Sequence, residues 1–350
     1  MPNTLDQARR FAVLADLGLA RTDVAPVECE AFPVGRREWK VVQTRPAMGT
    51  LVSVTALAPV REWAEDAIGL AFEEMDRLIG LFSRYDPGSA VSALNAAGRL
   101  DAPPPELAHV MRTSLDYHRL TGGAFDVTVA PLLALFRERL GGAAPAEPTE
   151  AEIRDRMALV GAHAVACERG WIALRRDGME LTFDGIAKGF IVDAVARALD
   201  AHGVRRYLVN AGGDIRARGR KEGRQPWTVG VRDPAGAGRL PGTLQLANAA
   251  VATSGSYEVS FDGDMRFHHI VDGKTGRSPG AALSVSVTAP TAMAADALAT
   301  SVFVLGPVAG VRFVDGLRGC ACLVLDRDGG QWMSRRWRNA PPIGGEEAET

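Results

Sequence analysis

The segment Asp184–Phe190 combines an acidic residue, two glycines and a lysine where a predicted strand, residues 179–183, runs into a predicted helix. N–H groups at a helix start, together with Lys188, suit a phosphate, and Asp184 suits a metal, a hydroxyl or a ring N–H. The segment matches neither common nucleotide-loop pattern, G-x-x-x-x-G-K-[ST] or G-x-G-x-x-G. A plain strand–turn–helix junction with a solvated lysine is therefore the alternative. The predicted helix rests on apolar residues at helical spacing: Ala187, Phe190, Ile191, Ala194, Val195, Ala198 and Leu199.

A second segment, Thr291–Thr300, contains small and apolar residues apart from Asp296 and its terminal threonines. On a helix, Asp296 and Thr300 are one turn apart and share a face. A buried carboxylate without a partner is costly. One carboxylate and one hydroxyl suit Mg²⁺, which completes its shell with water and phosphate oxygens. The alternative is that Asp296 has only a structural role, as a helix cap or an ion-pair partner.

A third segment contains two adjacent histidines, His268 and His269, in a predicted strand at residues 266–271 that leads into a glycine turn. Neighbouring side chains on a strand face opposite ways, so only one of the two histidines can address a given pocket, which argues against a zinc site. A single histidine near a phosphate is a natural general base for a hydroxyl nucleophile. A histidine of the core or of the surface is the alternative.

The elements that must position these segments alternate between helices and antiparallel-looking strands. Residues 51–57 predict a strand, Arg61–Phe82 a long helix, and residues 291–304 and 307–316 two further helices. Strands in series with helices grouped between them predict an α+β fold of mostly antiparallel sheets.

Composition narrows the classes of function. The chain has 350 residues, 47% hydrophobic and 23% charged, as in a globular protein. A formal net charge of -2 gives no basic surface, so nucleic acid is not expected as a partner. The four cysteines form no C-x-x-C pair, and we expect buried reduced thiols at Cys320 and Cys322. We expect no membrane span, because no apolar stretch reaches the required length.

The N-terminal residues Arg9, Arg10 and Phe11 precede an apolar run, as in a twin-arginine signal. Asp16 interrupts that run, and neither a clear cleavage site nor a lipid-acceptor cysteine follows. We therefore predict an amphipathic N-terminal helix and a cytoplasmic protein, with an extracytoplasmic location if the sequence has been shortened.

Further short segments occur in a fixed order with these three. They are Met48-Gly49-Thr50, Phe82-Ser83-Arg84-Tyr85 followed by Ser92-Ala93-Leu94-Asn95, Gly123-Ala124-Phe125-Asp126, Asn210-Ala211-Gly212-Gly213-Asp214 and Thr253-Ser254-Gly255-Ser256-Tyr257-Glu258. With Asp-Gly-Ile-Ala-Lys-Gly, His-Ile-Val-Asp and Ala-Asp-Ala-Leu-Ala-Thr, they resemble the FAD:protein FMN transferases, the ApbE-type flavin transferases. The resemblance covers roughly residues 45 to 325.

The resemblance implies a T-fold-like α+β catalytic domain over residues 39–338, after an extension at 1–38 and before a flexible tail at 339–350. It also implies an enzyme that uses Mg²⁺ and FAD, transfers FMN to a Ser or Thr hydroxyl in a flavinylation motif of a target protein, and releases AMP. The implied catalytic residues are His269 as the base, Asp184 and Lys188. The implied metal ligands are the Ala187 carbonyl, Asp296 and Thr300. The implied dinucleotide contacts are Met48, Tyr85, Ala124, Phe125, Asp126, Asp184, Lys188, Phe190 and Ile270.

Gly273 departs from the family pattern, because it stands where the family usually has proline, and this departure predicts a looser loop behind His269. No acceptor-like motif occurs in the chain, so self-flavinylation is not expected. Two other functions remain open: hydrolysis of FAD to FMN and AMP in the same pocket, and FAD binding without turnover. A homodimer is also left open.

Overall fold

The computed structural model describes residues 28–338 apart from residues 36, 143, 233 and 235–240. Its strands are β1 (Glu28–Gly35), β2 (Glu38–Ala47), β3 (Thr50–Ala58), β4 (Arg99–Asp101), β5 (Val165–Glu168), β6 (Trp171–Leu174), β7 (Tyr207–Ala211), β8 (Asp214–Arg218), β9 (Trp227–Val231), β10 (Gly242–Leu246), β11 (Ala249–Gly255), β12 (Ala282–Ala289), β13 (Ala321–Asp326) and β14 (Gln331–Met333). Its helices are α1 (Arg61–Phe82), α2 (Ala90–Ala97), α3 (Pro105–Leu120), α4 (Ala130–Leu140), α5 (Glu150–Met157), α6 (Ala187–Ala201), α7 (Ala292–Asp315) and α8 (Arg335–Arg338).

The main sheet contains nine strands in the order β1-β2-β3-β7-β8-β11-β12-β13-β14, and neighbouring strands are antiparallel. Two smaller sheets, β10-β9 and β4-β6-β5, are antiparallel as well. Helices α1, α6 and α7 pack on the main sheet. The predicted α+β class with mostly antiparallel sheets is therefore confirmed.

The central part of the main sheet is buried on both faces, as the alternation of side chains along β11 shows. Ala250 and Ala252 belong to the core that the helices cover, whereas Val251 packs on the other face with Trp227 and Leu244 of the β9–β10 pair. Because successive side chains of a strand point to opposite faces, one strand contributes to both cores. Near the end of the chain, Cys320 and Cys322 are buried free thiols, as expected.

The main sheet begins inside the segment that we predicted as an extension. β1 pairs with β2, with Ala31 opposite Val41. β1 is an edge strand with mostly exposed side chains, so it lacks the apolar alternation by which a strand is recognised. The predicted N-terminal helix lies outside the described residues, as does the predicted tail.

Two predicted strands, residues 179–183 and 266–271, are wrong. The N–H and carbonyl of Leu181 bond to the side chain of Asn95 at 2.8 and 3.0 Å, and Thr182 N–H donates to the Val127 carbonyl at 2.8 Å. In the second segment, His268 N–H donates to Ser278 Oγ at 2.9 Å. These runs are buried like strands, but their backbone groups bond to side chains and loops, a difference that an apolar pattern does not reveal.

Helix α7 contradicts our expectation that no apolar stretch is long enough to span a membrane. Its length and composition would allow it to cross a membrane, although core helices of globular proteins meet the same criterion. Here Val302 and Phe303 are fully buried, and the helix packs against β11, β12 and β13. A positive φ of 77° at Gly306 breaks the helix, in agreement with the two helices predicted at 291–304 and 307–316.

Candidate active site

Two glycines allow the start of α6 to lie directly against α7. A Cβ atom on Gly189 would be 2.4 Å from the carbonyl oxygen of Ala292 and 2.8 Å from Cβ of Asp296. A Cβ atom on Gly185 would be 2.8 Å from Oγ1 of Thr300. Any larger residue would push the two helices apart, so the glycines bring the predicted phosphate segment against the predicted metal ligands.

Each of these two helices has an aspartate that caps the start of the other. Gly189 N–H donates to Oδ2 of Asp296 at 2.9 Å, while the N–H groups of Ala292 and Met293 donate to Asp193 at 3.0 and 2.9 Å. Carboxylates at these positions bond to free N–H groups and interact favourably with the positive ends of the helix dipoles. Asp296 therefore has the structural role that we left open, and it also lines the adjoining cleft.

The cleft encloses about 650 Å³, including open solvent at its mouth. Its walls come from the segment after α3, the start of α4, the start of α6, the end of β11, the loop that contains His269, and α7. Part of the lining is apolar and consists of Val127, Val129, Leu133 and Val271, which we call the apolar wall, while α6 and α7 contribute polar groups. The predicted site residues among its lining are Ala124, Phe125, Asp126, Asp184, Lys188, His269, Ile270, Asp296 and Thr300.

Lys188 lies among three carboxylates, with Nζ 3.4 Å from Oδ2 of Asp214. Burial alone lowers the pKa of Lys188, but Asp214, Glu258 and Asp296 outweigh it and raise this pKa above its ordinary value. Burial raises the pKa of Asp214 to about 6 and that of Asp296 well above its ordinary range. Lys188 therefore has more acidic groups around it than one lysine can neutralise.

The donor groups of this cleft fit Mg²⁺. Within the described part of the chain, no three His, Cys, Asp or Glu side chains cluster as a ready-made metal site. The fit rests instead on the excess of carboxylates over one lysine: Oδ2 of Asp214 is buried and, among the described residues, accepts no hydrogen bond, although Nζ of Lys188 lies 3.4 Å away. Thr300 adds a hydroxyl, 3.4 Å from Oγ of Ser254. Hard oxygen donors with excess negative charge are the environment that Mg²⁺ prefers.

The two histidines have different surroundings, although the predicted strand is absent. His268 is fully buried, with Nε2 3.1 Å from the Pro279 carbonyl oxygen, and burial lowers its pKa to about 4. His269 lines the cleft, and its Nδ1 lies 3.2 Å from the carbonyl oxygen of Val259. A carbonyl only accepts, so Nδ1 of His269 carries the proton and Nε2 has the lone pair. Burial also lowers the pKa of His269.

Asp126 also lines the cleft, and its partners are His118 and Thr128. Its Oδ2 is 3.3 Å from Nδ1 of His118, and its Oδ1 accepts from the N–H of Thr128 at 2.8 Å. Burial raises the pKa of Asp126, but the bonds from His118 and Thr128 outweigh burial and leave it lowered. The bond to Asp126 in turn raises the pKa of His118.

Four predicted site residues are not among those that line the cleft. Met48 has a positive φ of 51° in the β2–β3 turn and packs on the main core. Tyr85 is exposed, and Ala187 is buried at the first position of α6. Phe190 packs in the core with its ring 5.6 Å from that of Phe82, a position that argues against the predicted contact with FAD. The ligand roles of the other three stay predictions.

Sequence reasoning missed two acidic residues around Lys188: Glu258, which lines the cleft, and Asp214, which is buried beside the lysine. Both residues belong to short segments on which the family resemblance rests, and their place in those segments was the signal that could have identified them. Their spacing alone predicted no role. Asp214 begins β8 and Glu258 follows β11, so only the pairing of these two strands brings both carboxylates to Lys188.

The departure at Gly273 does not leave its turn unsupported. Gly276 N–H donates to the Asp272 carbonyl at 2.8 Å, and Asp272 N–H donates to the Arg277 carbonyl at 2.9 Å. A Cβ atom on Gly273 would be 3.2 Å from Cγ1 of Val160, a tight contact. Backbone hydrogen bonds therefore support the turn at Gly273, and the looser loop stays a prediction.

Comparison with known proteins agrees with this geometry. A model of the ApbE family matches residues 48–324. A relative from Haemophilus influenzae, named FAD:protein FMN transferase, is 30% identical over 259 residues, which cover 71% of this chain and 75% of that protein. A relative of the same name from Salmonella typhimurium is 30% identical over 348 residues, which cover 94% of this chain and 96% of that protein.

Solved structures lead to the same family. The ApbE protein from Thermotoga maritima superposes with a TM-score of 0.78 at 28% identity, covering 86% of this chain and 99% of that one. The flavin transferase ApbE from Vibrio cholerae gives a TM-score of 0.73 at 25% identity, covering 90% of this chain and 100% of that one. The family model spans most of the chain and includes every residue that lines the cleft, so the chain belongs to the ApbE family.

Proposed function

We propose that this chain transfers the FMN moiety of FAD to a Ser or Thr hydroxyl of a target protein, requires Mg²⁺ and releases AMP. The names of its relatives support flavin transfer to a protein. The observation that carries the proposal is the convergence, in one cleft, of a histidine, a protonated lysine and a carboxylate–hydroxyl pair: His269, Lys188, Asp296 and Thr300.

His269 is the proposed base. Its lowered pKa keeps the imidazole neutral near pH 7, and its Nε2 has the lone pair that accepts a proton. The acceptor oxygen forms a bond to the phosphorus of the FMN half, its proton passes to His269, and the bridging P–O bond breaks to release AMP. The proton of the hydroxyl is thus on His269, and the bridging oxygen leaves with AMP, so that atoms and charges balance.

Lys188 and the start of α6 stabilise the negative charge that builds up on the phosphate oxygens. Asp296, Thr300 and the carbonyl of Ala187 would hold Mg²⁺, which when bound neutralises charge on the diphosphate. Asp214 and Glu258 keep Lys188 protonated. Asp184, which lines the cleft, is proposed to contact FAD, and the apolar wall is proposed to pack against the ring systems of the dinucleotide.

The test is AMP release from FAD and Mg²⁺, with and without a candidate acceptor protein, combined with the intact mass of that acceptor. Transfer predicts AMP together with a gain of one FMN on the acceptor. AMP with only free FMN would show hydrolysis, and stoichiometric FAD binding without AMP would show a binder.

The matched variants for this test lie on one helix. Asp296→Ala should abolish AMP release, whereas Asp315→Asn, at the opposite end of α7, should retain it. Full activity of Asp296→Ala would refute the metal assignment.

A cytoplasmic target is also part of the proposal, and fractionation of cells, followed by detection of the flavin-labelled protein, tests it.

A further inference from the structure

His268 is a buried histidine to which the proposed reaction assigns no role. Its ring packs edge to face on the ring of Phe303 from α7, with the ring centroids 5.5 Å apart. One hydroxyl holds its backbone, because Oγ of Ser278 accepts from the N–H of His268 at 2.9 Å and donates to its carbonyl at 2.8 Å. Contacts to both the ring and the backbone therefore fix the position of His268.

Both nitrogens of the His268 ring have partners. Nε2 lies 3.1 Å from the carbonyl oxygen of Pro279, which only accepts, so Nε2 carries the proton. Burial lowers the pKa of His268 to about 4, so the ring is neutral near pH 7 and Nδ1 has a lone pair. Nδ1 accepts from the N–H of Ile270 at 3.3 Å. The ring thus links Pro279 to the backbone that follows His269.

His269 lies between the two residues that this ring holds in place. Its own N–H donates to the Val259 carbonyl at 3.1 Å, and its Nδ1 lies 3.2 Å from the same oxygen. Both of these bonds end on one atom, and the segment belongs to none of the described strands, so no ladder of backbone bonds supports it. The peptide groups on either side of His269 depend instead on His268, through its own backbone and through the N–H of Ile270.

We propose that His268 is a positioning residue, whose Nδ1 holds the N–H of Ile270 and thereby fixes His269 in the cleft. The inference rests on the proposed function, in which His269 is the base. Ile270 lines the cleft together with His269, so one hydrogen bond places both residues. A base must lie within hydrogen-bond reach of the hydroxyl, and a misplacement of about 1 Å can lower the rate about 100-fold.

Two amide variants separate this role from simple packing, because each replaces one ring nitrogen. In His268→Asn, the side-chain oxygen takes the place of Nδ1 and can accept from the N–H of Ile270, whereas the bond to Pro279 is lost. In His268→Gln, the longer side chain brings its amide N–H to the place of Nε2 and can donate to Pro279, whereas the bond to Ile270 is lost. Only the second variant releases the backbone beside His269.

The test measures kcat and KM for AMP release from FAD in the presence of Mg²⁺ and an acceptor protein. We expect His268→Gln to lower kcat about tenfold or more, and His268→Asn to lower it less than about threefold. The KM for FAD should change less than about threefold in both, because Lys188 and Asp296 stay in place. Tyr207→Phe is the matched control, because it also removes one buried hydrogen bond, from its hydroxyl to the Ala196 carbonyl at 3.0 Å. This control should lose stability but keep its kcat.

Equal losses of kcat in the asparagine and glutamine variants would overturn the inference, as would a kcat that neither variant changes. Thermal unfolding shows which variants are folded. NMR of the histidine ring nitrogens gives a second decision without turnover, because a proton on Nδ1 of His268 in the wild type would exclude the bond from Ile270. This measurement applies even if His268→Gln does not fold.

The same spectra separate failure of this inference from failure of the proposed function. Ring signals of His269 that shift in His268→Gln but not in His268→Asn, without AMP release by the wild type, would remove the proposed function and keep the positioning role. AMP release by the wild type, with equal kcat in both variants, would keep the proposed function and remove the positioning role.

Discussion

Gly189→Ala tests whether the contact between α6 and α7 builds the site. The new Cβ atom would be 2.4 Å from the carbonyl oxygen of Ala292 and 2.8 Å from Cβ of Asp296. The first of these neighbours is backbone and neither is the end of a flexible side chain, so the helices must move apart. That movement also stretches the hydrogen bond from Gly189 N–H to Asp296, which is 2.9 Å long.

The magnitude follows from three contributions. Overpacking of this kind costs about 1–3 kcal/mol, and loss of a hydrogen bond to a charged group costs about 1.5–3 kcal/mol. Replacing glycine by alanine inside a helix returns about 0.5–1 kcal/mol. We therefore expect Gly189→Ala to lower the free energy of unfolding by about 1.5–5.5 kcal/mol. Urea denaturation followed by circular dichroism measures this quantity, and Mg²⁺-dependent AMP release measures the displacement of Asp296.

Gly69→Ala is the control, because Gly69 lies inside α1 and a Cβ atom there would meet nothing within 4 Å. This variant should be more stable than wild type by about 0.5–1 kcal/mol, with unchanged activity. If Gly189→Ala behaves like Gly69→Ala, the helix contact is not as tight as described, and the reasoning about the site fails.

Three further predictions follow from the site. His269→Gln should lower the rate of AMP release at least about 100-fold, and wild-type activity should fall with decreasing pH only below the ordinary histidine pKa of 6.5, because burial lowers the pKa of His269. Asp126→Asn should cost most stability between about pH 4 and 6.5. The lowered pKa of Asp126 contributes stability that is lost as pH falls, and the raised pKa of His118 contributes stability that is lost as pH rises. Denaturation measured across pH should therefore show the largest difference in unfolding free energy between variant and wild type in that window. Thr300→Val should raise the Mg²⁺ concentration for half-maximal activity about tenfold or more, and an unchanged value would exclude Thr300 as a ligand.

Much of the fold could be predicted because local patterns specify it. The helix Arg61–Phe82 has the bounds that its periodicity predicts, and the antiparallel α+β class follows from the order of elements. The edge strand Glu28–Gly35 was missed because exposed edge positions carry no apolar alternation. The predicted strand at 179–183 failed because a buried apolar run has the same pattern whether its backbone bonds to a strand or to a side chain such as that of Asn95.

The site divides in the same way. The sequence by itself determined that Asp296 and Thr300 share a helix face, because residues four apart on a helix are neighbours whatever surrounds them. It also determined that Lys188 lies in the segment that opens a helix, where its charge adds to the free N–H groups that suit a phosphate. Only the tertiary structure decided that Asp214 and Glu258 surround this lysine and that Phe190 turns into the core. These outcomes depend on which strands pair and how closely two helices approach, and such contacts between distant residues leave no spacing in the sequence.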